Sequence, residues 1–453
     1  MNRFATIFER WGLDKAVLLA AASRSWQSVA GVVSLLCIVH FFTIRLQGYH
    51  YAFLSMISAQ GLFELGIGIA ILSFASHEWS ALSFDSTGRA VGDATRLRRL
   101  AAIARFACRW YAWMAGLFLL GGSAIGWFVI GRREAGTIQW LGPWMLVICS
   151  ASANLFISGA LAVIEGCNQI MPVARIRLVQ SVLGNLVFWA CAAAGFGLWS
   201  TGWLMLTMTA TAASLVVGRY GRFVVQLYVQ EPDSDVSWRS GLFAMQWPLA
   251  IQAAAGFFMF SFFVPAVFRT SGAHEAGQLG MSLQVVLAIL SVAAALITVR
   301  QPRLGVLVAR GEITNMTADW RRGSAAALTG YLLVSSAVLV IAHLATLYLP
   351  SVRGRVLGVG AFAMLAAWGL ATLSVQCLAT YWRAFRVEPL GAFSVLPGLA
   401  SGALIWVGAI WSGATGAVAG ALLAVLSVTV PLALVGWRRT QTRFRSAIAG
   451  GAG

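Results

Sequence analysis

A single acidic residue, Glu64, lies near the middle of an apolar stretch of 26 residues, 51–76. A stretch of this length can cross a lipid bilayer as a slightly tilted helix. Because a charged side chain at the bilayer centre costs about 2.5–3.5 kcal/mol or more, we expect Glu64 to face a cavity or a partner rather than lipid. In a continuous helix, Gln60, Gly61 and Gly68 lie on the same side as Glu64, which predicts a small, polar face.

The composition indicates that most of the chain is embedded in a membrane. Apolar residues make up 59% of the sequence, charged residues make up 10%, and the mean hydropathy is +0.79. Soluble proteins carry about 25% charged residues, so we expect no soluble domain of useful size between the apolar stretches. We predict an all-α polytopic membrane protein with about twelve transmembrane helices. The predicted spans are residues 26–44, 51–76, 107–130, 138–164, 173–198, 203–227, 242–268, 279–299, 325–349, 357–381, 390–410 and 414–436.

The basic residues define the predicted orientation. If the N-terminus is cytoplasmic, 26 of the 32 Arg and Lys residues fall on the inner side and six on the outer side. An excess on the cytoplasmic side is the usual topological signal, so we place both termini in the cytoplasm. This distribution also accounts for the formal net charge of +17 without a nucleic-acid partner.

A polar run after the sixth span, VQEPDSDVSWRS, predicts a joint between two halves. We expect an N-terminal lobe over residues 1–228, which includes an amphipathic N-terminal segment. A cytoplasmic linker over 229–241 follows, and then a C-terminal lobe over 242–453 with a basic C-terminal tail. The prediction is therefore two six-helix lobes around a central cavity.

Two segments at matching places in these halves are similar to each other. Residues 45–60 and 269–284 align without gaps at an offset of 224, about half of the chain length. The identical pairs are Arg45/Arg269, Gly48/Gly272, His50/His274, Ala52/Ala276, Ser58/Ser282 and Gln60/Gln284. Parallel repeats of this kind are typical of transporters whose halves are related by an axis along the membrane normal. The position that matches Glu64 is Ala288, so the duplicated architecture does not require the acid.

Three further patterns concern surface segments and helix geometry. The inner loops 77–106 and 300–324 are basic and partly amphipathic, which predicts surface helices on anionic lipid. Pro248 and Pro265 lie near the ends of the seventh span and predict a bend. The twelfth span has a GxxxG spacing that begins at Gly416 and permits close helix packing.

Polar residues within or beside the spans form two predicted sites. The candidates for a substrate or coupling cavity are Glu64, Gln60, Gln284, Arg24, Arg105, Arg109 and Arg177. The candidates for an outer gate are Arg45, His50, Arg269 and His274.

Each group of candidates has a functional and a structural interpretation. Glu64 either binds a proton, a cation or substrate hydroxyl groups, or is a buried acid that is hydrogen-bonded to a neighbouring helix. The inner arginines either hold a diphosphate, to which guanidinium groups make forked contacts, or serve as topology anchors. The outer residues either gate the outer mouth or hold an anionic head group, or the outer arginines extend to lipid phosphates.

Motifs for enzymes and metal sites are absent from the sequence. His77-Glu78 is followed by Ala81 where an HExxH motif requires its second histidine, and there is no P-loop. The five histidines are far apart, and the six cysteines are scattered without a CxxC pair. We expect no enzymatic activity, no metal and no cofactor.

The first two spans carry short motifs of a known family. The segments RLQGYHYAF, FELG and SFASHEWSAL resemble the start of polysaccharide repeat-unit (O-unit type) flippases of the multidrug/oligosaccharidyl-lipid/polysaccharide exporter superfamily. Members of that family commonly have a Gly-Tyr turn after the first helix, here Gly48-Tyr49. They also have a Gly-rich second helix with Leu-Gly, here Leu65-Gly66. The two-lobe layout extends the resemblance to the whole chain.

This resemblance implies a multi-pass protein of the bacterial inner membrane that serves O-antigen or exopolysaccharide assembly. Its substrate would be a polyprenyl-diphosphate-linked oligosaccharide, moved to the outer leaflet by alternating access of the lobes. Membrane lipids and a polysaccharide polymerase machinery would be partners, and a proton or sodium gradient would be the coupling source.

Two other transporter classes stay open at this point. An ion-coupled drug or small-solute antiporter of the same superfamily would carry more acid in its cavity than Glu64 alone. A major-facilitator transporter would carry an Asp-x-x-Gly-Arg motif, which Asp85 to Arg89 partly matches. However, Ala81 replaces the first glycine of that signature, and the loop of about 30 residues is longer than that family's.

Overall fold

The structure is a computed structural model that describes residues 15–64, 66–131, 138–231, 250–385 and 395–450. The first half of the described chain contains eight helices and one β-hairpin. The helices are α1 (Lys15–Phe41), α2 (Ile44–Ile57), α3 (Gln60–Glu64), α4 (Ile67–Trp79), α5 (Ala94–Gly126), α6 (Leu141–Gly166), α7 (Ile170–Ala193) and α8 (Trp199–Val229). The strands are β1 (Leu82–Phe84) and β2 (Ala90–Gly92), and a π-helical turn, Trp127–Gly131, continues α5.

The second half is helical in its described residues. Its helices are α9 (Ala250–Ser261), α10 (Phe263–Ser271), α11 (Ala273–Thr298), α12 (Gln301–Ala309), α13 (Ile313–Tyr348), α14 (Val359–Ala384), α15 (Val395–Ala424) and α16 (Val430–Gly450). The last turn of α9, Phe257–Ser261, is π-helical, and so is the connection Val425–Thr429.

The predicted multi-pass membrane architecture is confirmed. Eight described helices are long and apolar enough to cross a membrane, or up to ten if each of two bent pairs forms one span. A shorter apolar helix, Ser25–Phe41, lies within α1. Large apolar side chains such as Trp113, Leu120 and Leu333 are exposed on these helices, as expected for residues that face lipid. The count of twelve spans and the cytoplasmic termini stay predictions.

The described helices pack into two compact units. Unit 1 contains α1, α3 to α8 and the β-hairpin, and unit 2 contains α2 and α9 to α16. Residues 43–56 belong to unit 2, whereas Phe42 and Ile57 on either side of them belong to unit 1. The predicted linker 229–241 and the N-terminal segment fall largely outside the described residues, and the predicted lobe boundaries stay a prediction.

The predicted second span is interrupted, which corrects the expectation of a continuous helix over 51–76. Helix α2 ends at Ile57, α3 covers five residues, and α4 begins only at Ile67. Gly66 has a φ of 69°, a left-handed conformation that favours glycine because a Cβ atom would be crowded there. The polar face predicted around Glu64 is therefore not the face of one helix.

The inner loop 77–106 forms a β-hairpin and the first turns of α5 instead of the predicted surface helix. Strands β1 and β2 are antiparallel, with Ser83 opposite Val91. The carboxylate of Asp93 caps α5 by accepting the backbone N–H groups of Thr95 and Arg96. Segment 300–324 likewise divides into α12 and the beginning of the long helix α13.

The turn of the hairpin contains the Asp85-to-Arg89 motif. The Asp85 carboxylate accepts the backbone N–H groups of Thr87 and Arg89, both at 2.8 Å. On α8, the side-chain amide of Gln226 bonds to both the backbone N–H and the carbonyl of Ala90, at 2.8 Å each. The motif is therefore used to close a turn, and the hairpin is attached to unit 1.

The predicted bend near Pro265 is confirmed, and Pro248 lies outside the described residues. Helices α9 and α10 meet at 49°. Pro265 has no N–H group, and its ring excludes the carbonyl of Ser261 four residues earlier. The backbone accommodates this with a π-helical turn, in which the Phe262 N–H donates to the Phe257 carbonyl at 3.0 Å.

The GxxxG spacing forms a close helix contact. Helical geometry is lost at Ser412 and Gly413, so α15 folds back on itself as two helical segments. A Cβ atom on Gly416 would overlap the carbonyl oxygen of Gly408, and one on Gly420 would overlap that of Leu404. Glycine is required at these positions because the two backbones touch.

Candidate functional site

Glu64 accepts a hydrogen bond from a side chain of the following long helix. The Tyr111 hydroxyl on α5 donates to the Glu64 carboxylate at 3.0 Å. Glu64 is the last residue of the short helix α3 and is only partly buried, whereas Tyr111 is fully buried. The Glu64 carboxylate therefore accepts a hydrogen bond from an uncharged hydroxyl group and stays partly exposed.

Two glycines make room for this pair. A Cβ atom on Gly68 would lie 2.9 Å from the Glu64 Oε1 atom and 3.0 Å from the Tyr111 hydroxyl. A Cβ atom on Gly159 of α6 would lie 2.5 Å from the Tyr111 ring. The predicted proximity of Gly68 to Glu64 is observed, although the helix is broken between them, whereas Gly61 is exposed with open space around its Cα.

Unit 2 contains a related tyrosine but no acid beside it. The buried side chain of Tyr331 on α13 packs against Gly369 of α14, as Tyr111 packs against Gly159. Its hydroxyl donates to the backbone carbonyl of Ala366 at 2.9 Å instead of to a carboxylate. The tyrosine–glycine packing thus occurs in both units, and the described acid is specific to unit 1.

The two predicted cavity glutamines have different surroundings. Gln60 begins α3, one turn before Glu64, and is partly exposed. Gln284 is exposed on α11 in unit 2. Their correspondence in the sequence repeat therefore does not extend to the same helix type, since α11 is continuous where the first-half segment is interrupted.

Arg105 is used to close the end of a helix. Its Nη2 atom donates to the carbonyls of Tyr228 at 2.7 Å and Gln230 at 2.5 Å, at the C-terminus of α8. Its guanidinium group also lies 5.9 Å from the centre of the Tyr228 ring. Cations near the C-terminus of a helix satisfy its free carbonyls and its dipole. These contacts favour the structural interpretation of Arg105.

Arg109 and Arg177 are both exposed on the surface of unit 1. Arg109 is exposed at the end of an exposed α5 face that continues through Trp113 and Leu120. An apolar exposed face on a membrane helix contacts lipid, so this position fits a topology anchor. Arg177 on α7 forms an ion pair with Glu165 at 2.9 Å, and its side chain is 58% exposed. Arg24 lies within α1.

The cavity beside Arg105 is apolar. It has a volume of about 130 Å³ and lies between α5, α6 and α8 in unit 1. Ala107, Gly159 and Phe223 are among the residues that line it. Its lining contains none of the seven predicted cavity residues, so it is not the predicted polar site.

The four predicted outer-gate residues lie in unit 2. Arg45 and His274 are exposed, Arg269 is half-buried, and His50 is buried. Sequence reasoning missed the residue of this region with the most polar contacts, Gln47, although it lies within the repeated segment. The missed partner of Glu64 is Tyr111, and its separation of 47 residues in the chain left no local signal.

The described residues contain no group of three or more His, Cys, Asp or Glu side chains that could hold a metal ion. The polar features are instead single pairs and small networks at helix ends and helix contacts.

Comparisons with known proteins identify the fold. No protein-family model matches the sequence, and no curated protein matches it. The structure is similar to the lipid II flippase MurJ in an inward closed conformation, with a TM-score of 0.65 and 8% identity over 93% of this chain and 87% of that one. It is similar to an inward-facing multidrug resistance MATE family transporter of the MOP superfamily, with a TM-score of 0.60 and 12% identity over 92% of this chain and 98% of that one.

A third similar structure is a MOP superfamily transporter from Pyrococcus furiosus, with a TM-score of 0.51, 14% identity and coverage of 95% and 96% of the two chains. At these identities the likeness concerns the fold. The chain therefore has the helical membrane fold of the MATE transporters and the lipid II flippase.

Proposed function

We propose that the protein is a flippase in the bacterial inner membrane. It moves a polyprenyl-diphosphate-linked oligosaccharide repeat unit from the cytoplasmic to the outer leaflet by alternating access, for surface polysaccharide assembly. The observation that carries this proposal is the likeness of nearly the whole chain to a lipid II flippase, together with the O-unit flippase motifs.

The positions of those motifs support the proposal. A Cβ atom on Gly48 would overlap the backbone of Ala273, and Tyr49 is fully buried with its ring 5.0 Å from that of Phe268. Gly66 occupies the left-handed turn between α3 and α4. The resemblance therefore involves glycines and an aromatic side chain with defined packing roles, rather than generic apolar residues.

The substrate would place its diphosphate at the inner end of unit 1. We assign this contact to Arg177, because Arg105 is engaged at the end of α8 and Arg109 belongs to an exposed apolar face. Arg177 has one observed carboxylate contact and a largely exposed guanidinium group, which leaves donors for a phosphate. The apolar tail would stay in the lipid beside the protein.

Glu64 is the proposed coupling residue. It is partly exposed, has an uncharged hydrogen-bond donor in Tyr111, and lies close to the left-handed turn at Gly66. Binding of a proton or sodium ion at Glu64 would weaken its bond to Tyr111 and release α3 from α5. A proton or sodium gradient could thereby bias the transport cycle.

An ion-coupled drug or small-solute antiporter is the second candidate. The likeness to a multidrug resistance MATE transporter favours it, and Glu64 would have the same coupling role. The major-facilitator alternative receives no support from its motif, because Asp85 to Arg89 form a hairpin turn that is closed by the Asp85 carboxylate.

Deletion in the native host, followed by analysis of lipid-linked and surface glycans, tests the function. We expect loss of a surface polysaccharide and accumulation of its complete lipid-linked repeat unit on the cytoplasmic leaflet. Complementation with Glu64→Gln should fail to restore the polysaccharide at a normal protein level. Unchanged surface glycan with altered drug sensitivity would refute the flippase and favour the antiporter.

A further inference from the structure

Gln47 is a fully buried amide that joins three parts of unit 2. Its Nε2 atom donates to the carbonyl of Gly277 on α11 at 2.8 Å and to the carbonyl of Arg355 at 2.9 Å. Its Oε1 atom accepts from the Arg355 Nη1 atom at 3.2 Å. Both ends of the amide are therefore satisfied, and all of these bonds leave helix α2.

The backbones of α2 and α11 touch beside Gln47. A Cβ atom on Gly277 would lie 3.0 Å from both the Gly48 nitrogen and the Ile44 carbonyl oxygen. A Cβ atom on Gly280 would lie 2.5 Å from the Tyr51 Cβ atom. Glycines allow this close approach of the two backbones, and the hydrogen bonds of Gln47 add direction to it.

The loop that carries Arg355 has its own attachments to α11. The Gln278 side chain donates to the Gly354 carbonyl at 2.9 Å, and the Ser282 hydroxyl accepts the Leu357 N–H at 3.0 Å. Neither bond involves α2. The loop is therefore bonded to α11 independently of α2, and Gln47 connects α2 to both of them.

Helix α2 packs in unit 2 although the chain on both sides of it belongs to unit 1. Residues 43–56 pack in unit 2, but the chain enters from Phe42 and returns at Ile57, both in unit 1. Non-covalent contacts alone therefore hold α2 in unit 2. Because the helix ends at Ile57, α2 and α4 are separate helices.

We propose that Gln47 is the latch that keeps α2 against α11, and that release of its three hydrogen bonds opens the outer side of the protein. The inference rests on the proposed alternating-access transport. It adds Gln47 to the predicted outer-gate residues Arg45, His50, Arg269 and His274. Gln47 is a positioning residue in this role, because it acts on a helix rather than on the substrate.

Cysteine labelling measures the opening without knowledge of the substrate. In a variant with all six native cysteines replaced, Ala52→Cys and Ala276→Cys are separate reporters. Both alanines are fully buried, lie within the segments in contact, and correspond at the offset of 224. An impermeant maleimide is applied to intact cells or to the outer face of proteoliposomes, and the initial labelling rate is measured.

Gln47→Ala is compared with Gln278→Ala as the matched control. We expect Gln47→Ala to raise the labelling rate of both reporters about fivefold to thirtyfold, the range expected for lost buried hydrogen bonds. Gln278→Ala should change it less than twofold, because it loses a loop contact and leaves α2 in place. Arg355→Ala removes the donor to the Gln47 Oε1 atom and should raise the rate in the same direction.

Equal maleimide labelling rates for Gln47→Ala and the parent would overturn the latch. A rise in the labelling rate of Gln278→Ala equal to that of Gln47→Ala would also overturn it. If Gln47→Ala does not insert, Arg355→Ala and Gln47→Leu decide, since Gln47→Leu keeps a similar side-chain volume but removes all three hydrogen bonds. A failed glycan assay with an intact labelling response would refute the flippase and leave the latch standing. A labelling rate of Gln47→Ala equal to that of the parent, together with a positive glycan assay, would refute the latch and leave the flippase standing.

Discussion

The Tyr111 hydroxyl donates a 3.0 Å hydrogen bond to Glu64, whereas Tyr331 in the second unit donates to a backbone carbonyl. The two tyrosines pack against glycines in a similar way, at Gly159 and Gly369. A packing role alone would explain both tyrosines. The carboxylate partner is the difference between them, and it identifies unit 1 as the place to look for ion coupling.

Tyr111→Phe should impair transport more than Tyr331→Phe does. Both substitutions remove one hydroxyl from a tyrosine–glycine contact, and hydrogen bonds between membrane helices contribute about 0.6 kcal/mol on average. Similar small losses of thermal stability are therefore expected. Only Tyr111→Phe removes the donor to Glu64, so restoration of surface glycan in the deletion strain should fall for that variant alone. Equal activity of the two variants would make the Glu64–Tyr111 bond structural.

Gly416→Ala should destabilise the protein by about 1–3 kcal/mol, because the added methyl group would overlap the Gly408 carbonyl and force the two segments of α15 apart. Gly218→Ala on α8 is the control, since the space around Gly218 is open. That variant should be neutral or slightly more stable, as alanine favours helix. Thermal unfolding in detergent compares the two, and an undiminished melting temperature for Gly416→Ala would contradict the contact.

Arg105→Ala should loosen the C-terminus of α8. Two carbonyls lose a charged donor, a loss of about 1.5–3 kcal/mol for hydrogen bonds to charged groups. Hydrogen exchange at residues 226–231 should accelerate more in Arg105→Ala than in Arg109→Ala, because Arg105 donates to the carbonyls of Tyr228 and Gln230. Loss of transport in Arg105→Ala with normal exchange would instead favour direct contact with a phosphate.

The hairpin turn should weaken in acid. The backbone N–H of Arg89 and the side chain of Thr87 stabilise the Asp85 carboxylate and lower its pKa below the usual value of 3.8. A carboxylate with a depressed folded pKa stabilises the turn above its ordinary pKa, and this contribution is lost as the pH falls through the folded value.

Hydrogen-exchange protection of residues 82–92, corrected for intrinsic rates, should therefore be constant from pH 7 to about pH 5 and fall below about pH 4. Asp85→Asn should show weaker protection at pH 7 and no further loss in acid. Protection that is the same at pH 3 and pH 7 in the parent protein would refute this role of Asp85.

Local patterns predicted several elements well. The apolar lengths located several helices to within a few residues, as for α6 and α8, because a helix that crosses a bilayer needs an apolar stretch of defined length. Pro265 predicted the bend between α9 and α10, and the glycine spacing from Gly416 predicted a close contact. Each of these effects depends on a residue and its immediate helical neighbours.

Other elements could not be derived in this way. The segment 77–106 was predicted as a surface helix, yet Asp85 closes a hairpin turn and Gln226, over 130 residues away, bonds to its second strand. The second span was predicted as continuous because its apolar run has no proline. The structure interrupts it at Gly66, although α3 and α4 both pack against α5 and α6.

Sequence patterns alone predict a multi-pass helical membrane protein, because each apolar segment meets the bilayer's length requirement independently of the others. The bonds of Gln47 to Gly277 and Arg355, and the pairing of Tyr111 with Glu64, emerge only in the folded chain. Both contacts join side chains that are distant in the chain. Their geometry depends on how backbones approach at glycines, and no local propensity encodes that approach.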